Sequence, residues 1–291
     1  MIKSTGAYKK HIKWFVLSLY LVTGSIWGQI SGEIDVEQKK QWREQFWAYL
    51  ESSEYPQFRT RAAIRLIRTG DSQAIRRGEQ LIAEVLDAPI PDPASLWLLA
   101  SGCQLNPSVN WCGSGRAYEL LAQADPHNAA VILLRFDQTV FENDTFLDTE
   151  ANRQLLFKAA DADYFDIYWG RGADKLFEEA LAFLEIKPMQ VAPGSEELVQ
   201  QFGITGHKYV YYVALTPILI VPLMSYGNIM DLCRLQARNQ QTEGIKACVK
   251  LADMLRERSG AVLTRFIGYS LEEAMLKELD SSDIVMKPWK N

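Results

Sequence analysis

Apolar residues recur at helical spacing along almost the whole chain after Gly32. The spacing is clear in an early segment whose apolar positions are Trp42, Phe46, Trp47 and Leu50. Alternating apolar and polar runs joined by Asn-Gly or Asp-Gly turns, which would predict strands and hairpins, do not occur in the sequence. The pattern therefore predicts an all-α protein of about ten to twelve helices, each of about 10–18 residues.

Residues with short polar side chains stand where several of these helices should begin. Such residues accept hydrogen bonds from the free amides of a first helical turn. The predicted N-caps are Asp71, Asp92, Ser114, Asp125 and Ser195. Pro126 would then occupy the first turn of the helix after Asp125, where proline costs least.

A weak internal repeat relates residues 120–125 (LLAQAD) to residues 156–161 (LFKAAD), an offset of 36. A period in the thirties is typical of stacked helical hairpins. Residues 117–134 (AYELLAQADPHNAAVILL) resemble the helix–turn–helix join of tetratricopeptide repeats, with Tyr118 and Pro126 at the aromatic and turn-proline positions. The predicted fold is accordingly a set of stacked helical hairpins, either a tetratricopeptide-like α-solenoid or an irregular helical array.

The N-terminal segment has the layout of a secretory signal peptide. Residues 1–13 carry four lysines and no acidic residue, residues 14–23 are almost all apolar, and small residues follow at Gly24, Ser25 and Gly28. We predict a signal peptide at 1–28, a single all-α domain at 29–291 that could be divided near 187–195, and a periplasmic or secreted protein. The alternative is an uncleaved membrane anchor at 14–27, although its 14 residues fall short of the ~20 that a spanning helix needs.

The four cysteines, Cys103, Cys112, Cys233 and Cys248, are expected to form two disulfides in an exported protein. Four cysteines allow three connectivities, and the spacing favours Cys103 with Cys112 and Cys233 with Cys248. Segments 228–238 and 243–256 are predicted to be helices joined by a polar turn. Because Cys233 and Cys248 are equidistant from the centre of that turn, they lie at equal height in an antiparallel hairpin. The alternative is four buried thiols in a cytoplasmic protein.

Composition limits the classes of function. The chain has 36 acidic and 31 basic residues, a formal net charge of −5, which excludes a globally basic nucleic-acid-binding protein. A hydrophobic share of 48% is enough to bury a core and excludes wholesale disorder.

The sequence offers no recognisable catalytic or metal-binding motif, so we predict no catalytic residue, no metal ligand and no cofactor. His127 and His207 have no partner at ligand spacing, and the chain lacks a nucleophile elbow, a His-Glu-x-x-His motif, a P-loop and a dinucleotide fingerprint. The acidic cluster Asp161, Asp163 and Asp166 does not fit a calcium loop of the EF-hand class. Such a loop needs glycine at position 6 and glutamate at position 12, and a loop counted from Asp161 has Asp166 and Gly172 there. A helix boundary rich in capping residues is the favoured interpretation.

Two segments are candidates for binding. Arg61, Arg65 and Arg68 fall at i, i+4 and i+7, so that one helix face could contact anionic lipid, a cell-wall polymer or an acidic partner. The alternative is an ordinary solvated face. Residues 209–224, the most apolar part of the domain, are predicted to form a buried helix interrupted by Pro217 and Pro222, or an apolar groove if one face is exposed.

The whole chain resembles exported helical proteins of Gram-negative bacteria that have paired cysteines. The similarity lies in residues 121–134, in the Cys233–Cys248 pair with residues 249–255 (VKLADML), and in residues 264–268 (TRFIG). The resemblance implies export and helices, and it assigns no functional residue. We therefore predict a non-enzymatic exported binding or scaffold protein with a protein or peptide partner in the cell envelope. The alternatives are an enzyme that acts on an envelope polymer through cleft carboxylates, and the same helical domain anchored in the inner membrane by residues 14–27.

Overall fold

The computed structural model describes residues 36–68, 71–105, 115–135, 148–168, 171–188, 226–259 and 262–281. These residues form eleven helices and no strand, which confirms the all-α prediction for the described part of the chain. The helices are α1 (Val36–Leu50), α2 (Pro56–Arg68), α3 (Ser72–Leu86), α4 (Pro93–Leu105), α5 (Arg116–Ala124), α6 (Ala129–Leu133), α7 (Glu150–Ala160), α8 (Ala173–Ile186), α9 (Tyr226–Arg238), α10 (Thr242–Glu257) and α11 (Val262–Ser281).

Two of the predicted helix starts are confirmed. The carboxylate of Asp71 accepts hydrogen bonds from the amides of Gln73 and Ala74 at 2.8 and 2.9 Å, and these bonds lower its pKa. Asp92 accepts from the amide of Ser95 at 2.8 Å at the start of α4.

Two other predicted starts are wrong. Helix α5 begins after Gly115, not after Ser114, and Gly115 has the left-handed φ of 63° that glycine adopts without strain. Asp125 ends α5, and the next helix is capped by Asn128, whose side chain accepts from the amide of Ala130. Pro126 therefore lies in the connection between α5 and α6 and not in a first helical turn. The predicted start at Ser195 lies outside the described residues.

Contacts group the described residues into two compact units, one of which consists of 36–50 and 175–188. Its centre is aromatic: the ring of Phe183 lies 5.3 Å from that of Trp42 and 5.4 Å from that of Phe46, measured between centroids. The hydroxyl of Tyr49 donates to the carboxylate of Glu179 at 2.6 Å, and this bond, together with burial, raises the pKa of Tyr49 to about 12. The predicted division near 187–195 extends beyond the described residues and stays a prediction.

The second unit contains the rest of the described chain. Helices adjacent in sequence pack on each other: α2 on α3, α4 on α5, α6 on α7, α9 on α10, and α10 on α11. Helix α10 also packs on α7, which precedes it by about eighty residues, and α9 packs on α11. The core includes Trp97, Leu121, Leu156 and Leu251. Packing between sequence neighbours is thus the local pattern, and α10 packs on α7, α9 and α11.

Glycines set the spacing of two of these helix pairs. A Cβ atom at Gly78 of α3 would lie 2.7 Å from the carbonyl oxygen of Ala63 in α2. A Cβ atom at Gly268 of α11 would lie 2.8 Å from the carbonyl oxygen of Ala252 in α10. Since backbone atoms cannot yield as a flexible side chain can, only glycine permits both approaches.

The predicted hairpin of α9 and α10 is confirmed, and so is its disulfide. Cys233 and Cys248 are bonded with Cα atoms 5.8 Å apart, and both side chains are fully buried. Gln236 and Gly244 contact each other one turn nearer the connection, as an antiparallel pair requires. The other predicted pair, Cys103 with Cys112, lies outside the residues whose side chains the structure describes.

Within the described residues, no helix has the length and apolar character needed to cross a membrane. The predicted signal peptide at 1–28, the alternative anchor at 14–27 and the apolar segment 209–224 all fall outside those residues.

Candidate functional site

The segment 161–168 after α7 turns at residues 161–163 and is bridged at residues 164 and 165 to two distant parts of the chain. Tyr164 forms an isolated parallel β-bridge with Asn128, and Phe165 forms another with Ser259. The amide of Ala129 donates to the carbonyl of Tyr164 at 2.8 Å. The backbone of the segment is thereby fixed against the start of α6 on one side and the end of α10 on the other.

Asn128 holds this segment through its side chain, which is completely buried. Its Nδ2 donates to the carbonyl of Asp166 at 2.8 Å, and its Oδ1 accepts from the amide of Asp166 at 3.0 Å. The same Oδ1 caps α6 through the amide of Ala130 at 3.0 Å. One amide side chain therefore satisfies three buried or half-buried backbone groups, which would otherwise lack partners.

Two tyrosines converge on the carboxylate of Asp125. Tyr164 donates to Oδ1 at 2.5 Å and Tyr168 donates to Oδ2. Burial raises the pKa of Tyr164 to about 12, and the hydrogen bond to Asp125 adds to the shift. Burial and the same acceptor raise the pKa of Tyr168 as well. Both phenols therefore act as hydrogen-bond donors at neutral pH.

We expect this network to make the protein sensitive to alkali. Because the folded state holds the Tyr164 proton more tightly than the unfolded state, its contribution to stability is complete below pH 10 and is lost as the pH rises towards about 12. The urea midpoint measured between pH 8 and 12 should fall above pH 10. Compared with the unaltered protein, Y164F should show a smaller fall of the urea midpoint. The control Y269F, whose altered ring is exposed, should show the same fall as the unaltered protein. If the midpoint of Y164F falls as much as that of the unaltered protein, Tyr164 is not a source of the sensitivity to alkali.

The acidic cluster differs in part from its predicted role as helix-capping residues. Asp161 ends α7 through its backbone amide, as predicted. Asp166 instead lies inside the segment 161–168, where its carboxylate accepts from the amide of Tyr168 at 2.7 Å and pairs with Arg171 at 2.6 Å. The guanidinium of Arg171 also covers the ring of Tyr168 at 4.9 Å. The backbone of Tyr168, with φ of 55°, is strained for a residue with a side chain and is held by these contacts.

A groove of about 450 Å³ separates the end of α7 and the turn after it from α10. We call it the α7–α10 groove. Its lining residues are Ala160, Asp161, Ala162, Asp163, Lys250, Asp253, Met254, Glu257 and Arg258. The first four form one wall, and the face of α10 with its following residue forms the other.

Polar contacts join the two walls. Lys250 Nζ lies 2.9 Å from Asp161 Oδ1, and Arg258 Nη1 donates to the carbonyl of Asp163 at 3.2 Å. Met254, which also lines the groove, is buried. The Oδ2 of Asp163 lies 3.5 Å from Nδ1 of His127, the first of the two histidines considered in the sequence. Four carboxylates and two cations line the groove, which gives a formal net charge of −2.

The arginines predicted as a binding stripe lie elsewhere, on α2. Arg61 and Arg65 are half-buried and Arg68 is exposed, and none of the three lines the α7–α10 groove. Burial lowers the pKa of Arg61 to about 10. Only part of this face is therefore presented to solvent, and its role in binding stays a prediction.

Metal binding finds no arrangement in the described ranges to support it. No group of three or more His, Cys, Asp or Glu side chains there could hold a metal ion. His207 lies outside those ranges.

The groove residues of α10 were missed in the sequence, although a signal was present. Lys250, Asp253 and Glu257 fall at i, i+3 and i+7 on a segment predicted to be helical, so they share one face. Nothing in the sequence indicates which distant segment that face contacts.

Comparison of the chain with protein-family models, with curated proteins and with solved structures finds no match.

Proposed function

We propose that this protein is a non-enzymatic, exported helical binding protein that holds a peptide segment of a cell-envelope protein in the α7–α10 groove. The observation that carries the proposal is the groove itself, an open space of about 450 Å³ with charged side chains on both walls. A concave surface on which polar groups converge is typical of binding sites.

The groove is supported by a rigid frame, which favours binding. One wall continues into the segment that Asn128 fixes through hydrogen bonds to both backbone groups of Asp166. The other wall is α10, which is packed on three helices and tied to α9 by the Cys233–Cys248 disulfide. A site that is already ordered loses little conformational entropy when a ligand binds.

Export is supported by the same disulfide, since such bonds persist in oxidising compartments and are rare in the cytosol. We include in the proposal the removal of residues 1–28 and the stacking of the helical hairpins into an irregular array. Stacked hairpins bury a continuous core and leave extended surfaces for partners.

The test is a peptide selection on the protein recovered from the cell envelope, whose intact mass shows whether residues 1–28 have been removed. A displayed library of random decapeptides is selected, and the Kd of the most enriched peptide is measured by calorimetry. We expect binding to weaken about tenfold in D163N/E257Q, because two carboxylates that line the groove lose their charge and accept weaker hydrogen bonds from the peptide. The control E119Q changes an exposed carboxylate of α5 and should bind as the unaltered protein does.

Failure to enrich any peptide would overturn the proposal, as would a peptide that binds D163N/E257Q and the unaltered protein equally well. The carboxylates on both walls are also the observation that favours the enzyme alternative. That alternative requires an envelope polymer to be cleaved, with cleavage lost in the same double variant and retained in E119Q.

A further inference from the structure

We infer that the exposed face of α11 is a self-association surface, on which two copies of this chain pack with their α11 helices antiparallel and with Tyr269 at the twofold axis. We call this surface the α11 face. Its residues are Arg265, Phe266, Tyr269, Glu273, Leu276 and Lys277. The inference goes beyond the proposed peptide binding and does not depend on it, because none of these residues lines the α7–α10 groove.

Three large apolar side chains of the α11 face are open to solvent. Phe266 is 64% exposed, Tyr269 is 59% exposed and Leu276 is 41% exposed. Residues three and seven apart lie on one side of a helix, so these side chains form a stripe along α11. The other side of the helix, with Leu271 and Met275, is buried in the core. Single exposed apolar residues are ordinary, whereas an apolar stripe on one helix is typical of an interface.

The ring of Tyr269 is held in place although it is exposed. The guanidinium carbon of Arg256 in α10 lies over this ring, 5.5 Å from its centroid. The same guanidinium pairs with Glu272 at 2.5 Å and also with Asp253. A cation that two carboxylates fix against the ring favours one position of the ring. An ordered aromatic side chain loses little conformational entropy when a partner packs on it.

The charges of the α11 face match those of a second copy when the two helices run antiparallel. Arg265 and Glu273 lie four residues before and four residues after Tyr269, which is about 6 Å along the helix in each direction. A twofold axis at Tyr269 therefore places Arg265 of each copy opposite Glu273 of the other. In a parallel pair, each of these residues would face its own copy, and like charges would repel.

The contacts that Arg265 and Glu273 make within the chain leave room for a contact between copies. Nε of Arg265 donates to the carbonyl of Ser259 at 3.4 Å, which uses one of the five N–H groups of a guanidinium. Lys277 donates to Oε1 of Glu273, and a carboxylate accepts on both of its oxygens. Arg265 of the second copy can therefore join this exposed pair without breaking it.

The dimer should be weak, because one helix face is smaller than the ~800 Å² that each partner buries in a stable complex. We expect the protein to be mostly monomeric at about 10 µM and mostly dimeric at about 500 µM.

Charge reversal tests the arrangement, with the mass of the whole protein measured by sedimentation equilibrium. We expect R265E and E273R each to weaken self-association about tenfold, because each variant brings like charges together twice across the axis. An equimolar mixture of R265E and E273R should dimerise as the unaltered protein does, because opposite charges then face each other again. The double variant R265E/E273R should do the same. The control K246E reverses an exposed charge of α10 outside the α11 face and should not change self-association.

The two single variants also exclude a general effect of charge. R265E makes the chain more negative and E273R makes it less negative, so a change in net charge cannot weaken association in both. Thermal unfolding of each variant checks that the fold is retained. An unaltered protein that stays monomeric at about 500 µM would overturn the inference. Single variants that associate as strongly as the unaltered protein would overturn the assignment to the α11 face, and a mixture that stays monomeric would overturn the antiparallel register.

Hydroxyl-radical footprinting distinguishes a second copy from another cover of the α11 face. Phe266 and Tyr269 should react at about 10 µM and be protected at about 500 µM. If both are protected at the lower concentration, another segment of this chain covers the face and the inference fails. If both still react at the higher concentration, the face is left to a different partner and the inference also fails. None of these outcomes bears on peptide binding in the α7–α10 groove.

Discussion

Replacement of Cys233 and Cys248 together by alanine is expected to lower the free energy of unfolding by about 3 kcal/mol. The disulfide joins residues 15 apart, and a loop of that length, once released, restores conformational entropy to the unfolded chain. Both sulfurs are fully buried, so small cavities left by alanine add to the loss. The hairpin of α9 and α10 should still form, because its core contacts remain.

Urea unfolding followed by circular dichroism, without a reductant, measures this effect. Cys103 and Cys112 are unchanged in the variant, so the comparison isolates one disulfide. An unfolded chain without the cross-link is more expanded, and the urea m value should therefore rise. A loss of less than 1 kcal/mol in the free energy of unfolding would contradict the expected constraint on the unfolded state. A loss with an unchanged m value would show that the disulfide acts through packing in the native state.

Asn128→Ala is expected to destabilise the protein by about 3 kcal/mol, although it removes only a few atoms. The amide and carbonyl of Asp166 and the amide of Ala130 all lose their partner. Each such group left buried and unpaired costs about 1–3 kcal/mol. No apolar contact made by alanine compensates for this loss.

Hydrogen exchange distinguishes this mechanism from general destabilisation. In Asn128→Ala, the amides of Ala130 and Asp166 should exchange faster than those of α2 and α3, because the segment 161–168 is released first. The control is Gln123→Ala, an exposed position on the neighbouring α5, which should change stability by less than about 0.5 kcal/mol. If the substitution speeds amide exchange equally across the whole unit, Asn128 supports the whole fold and not this segment in particular.

The released segment continues into one wall of the α7–α10 groove, so the same variant should bind the selected peptide more weakly. The stability and the site are thus linked through one buried amide.

Features that depend on near neighbours could be predicted from the sequence. The spacing of Trp42, Phe46 and Leu50 predicts α1 and its buried face, and Asp71 and Asp92 predict the starts of α3 and α4. The Cys233–Cys248 pair follows from the symmetry of one short turn. In each case the interacting groups lie within about four helical turns of each other, and helix geometry alone fixes their separation.

The turn at Asp125–Asn128 shows where this reasoning fails. Aspartate before proline is a good helix start, and local propensity gives no reason to prefer Asn128. The structure uses Asn128 as the cap because that side chain also binds the backbone of Asp166, 38 residues later. The carboxylate of Asp125 accepts instead from Tyr164 and Tyr168.

The sequence by itself determined the helical class, the periodic core and the hairpin with its disulfide, since these depend on spacing along one or two helices. Tertiary structure alone decided that Tyr164 and Phe165 form β-bridges with distant residues and that Asp161 and Asp163 face Lys250 and Arg258 across a groove. The physical reason is that side-chain periodicity fixes the face on which a residue lies but not the partner of that face. Partner choice depends on shape, on close approaches such as Gly268 on Ala252, and on buried hydrogen bonds between segments distant in the chain.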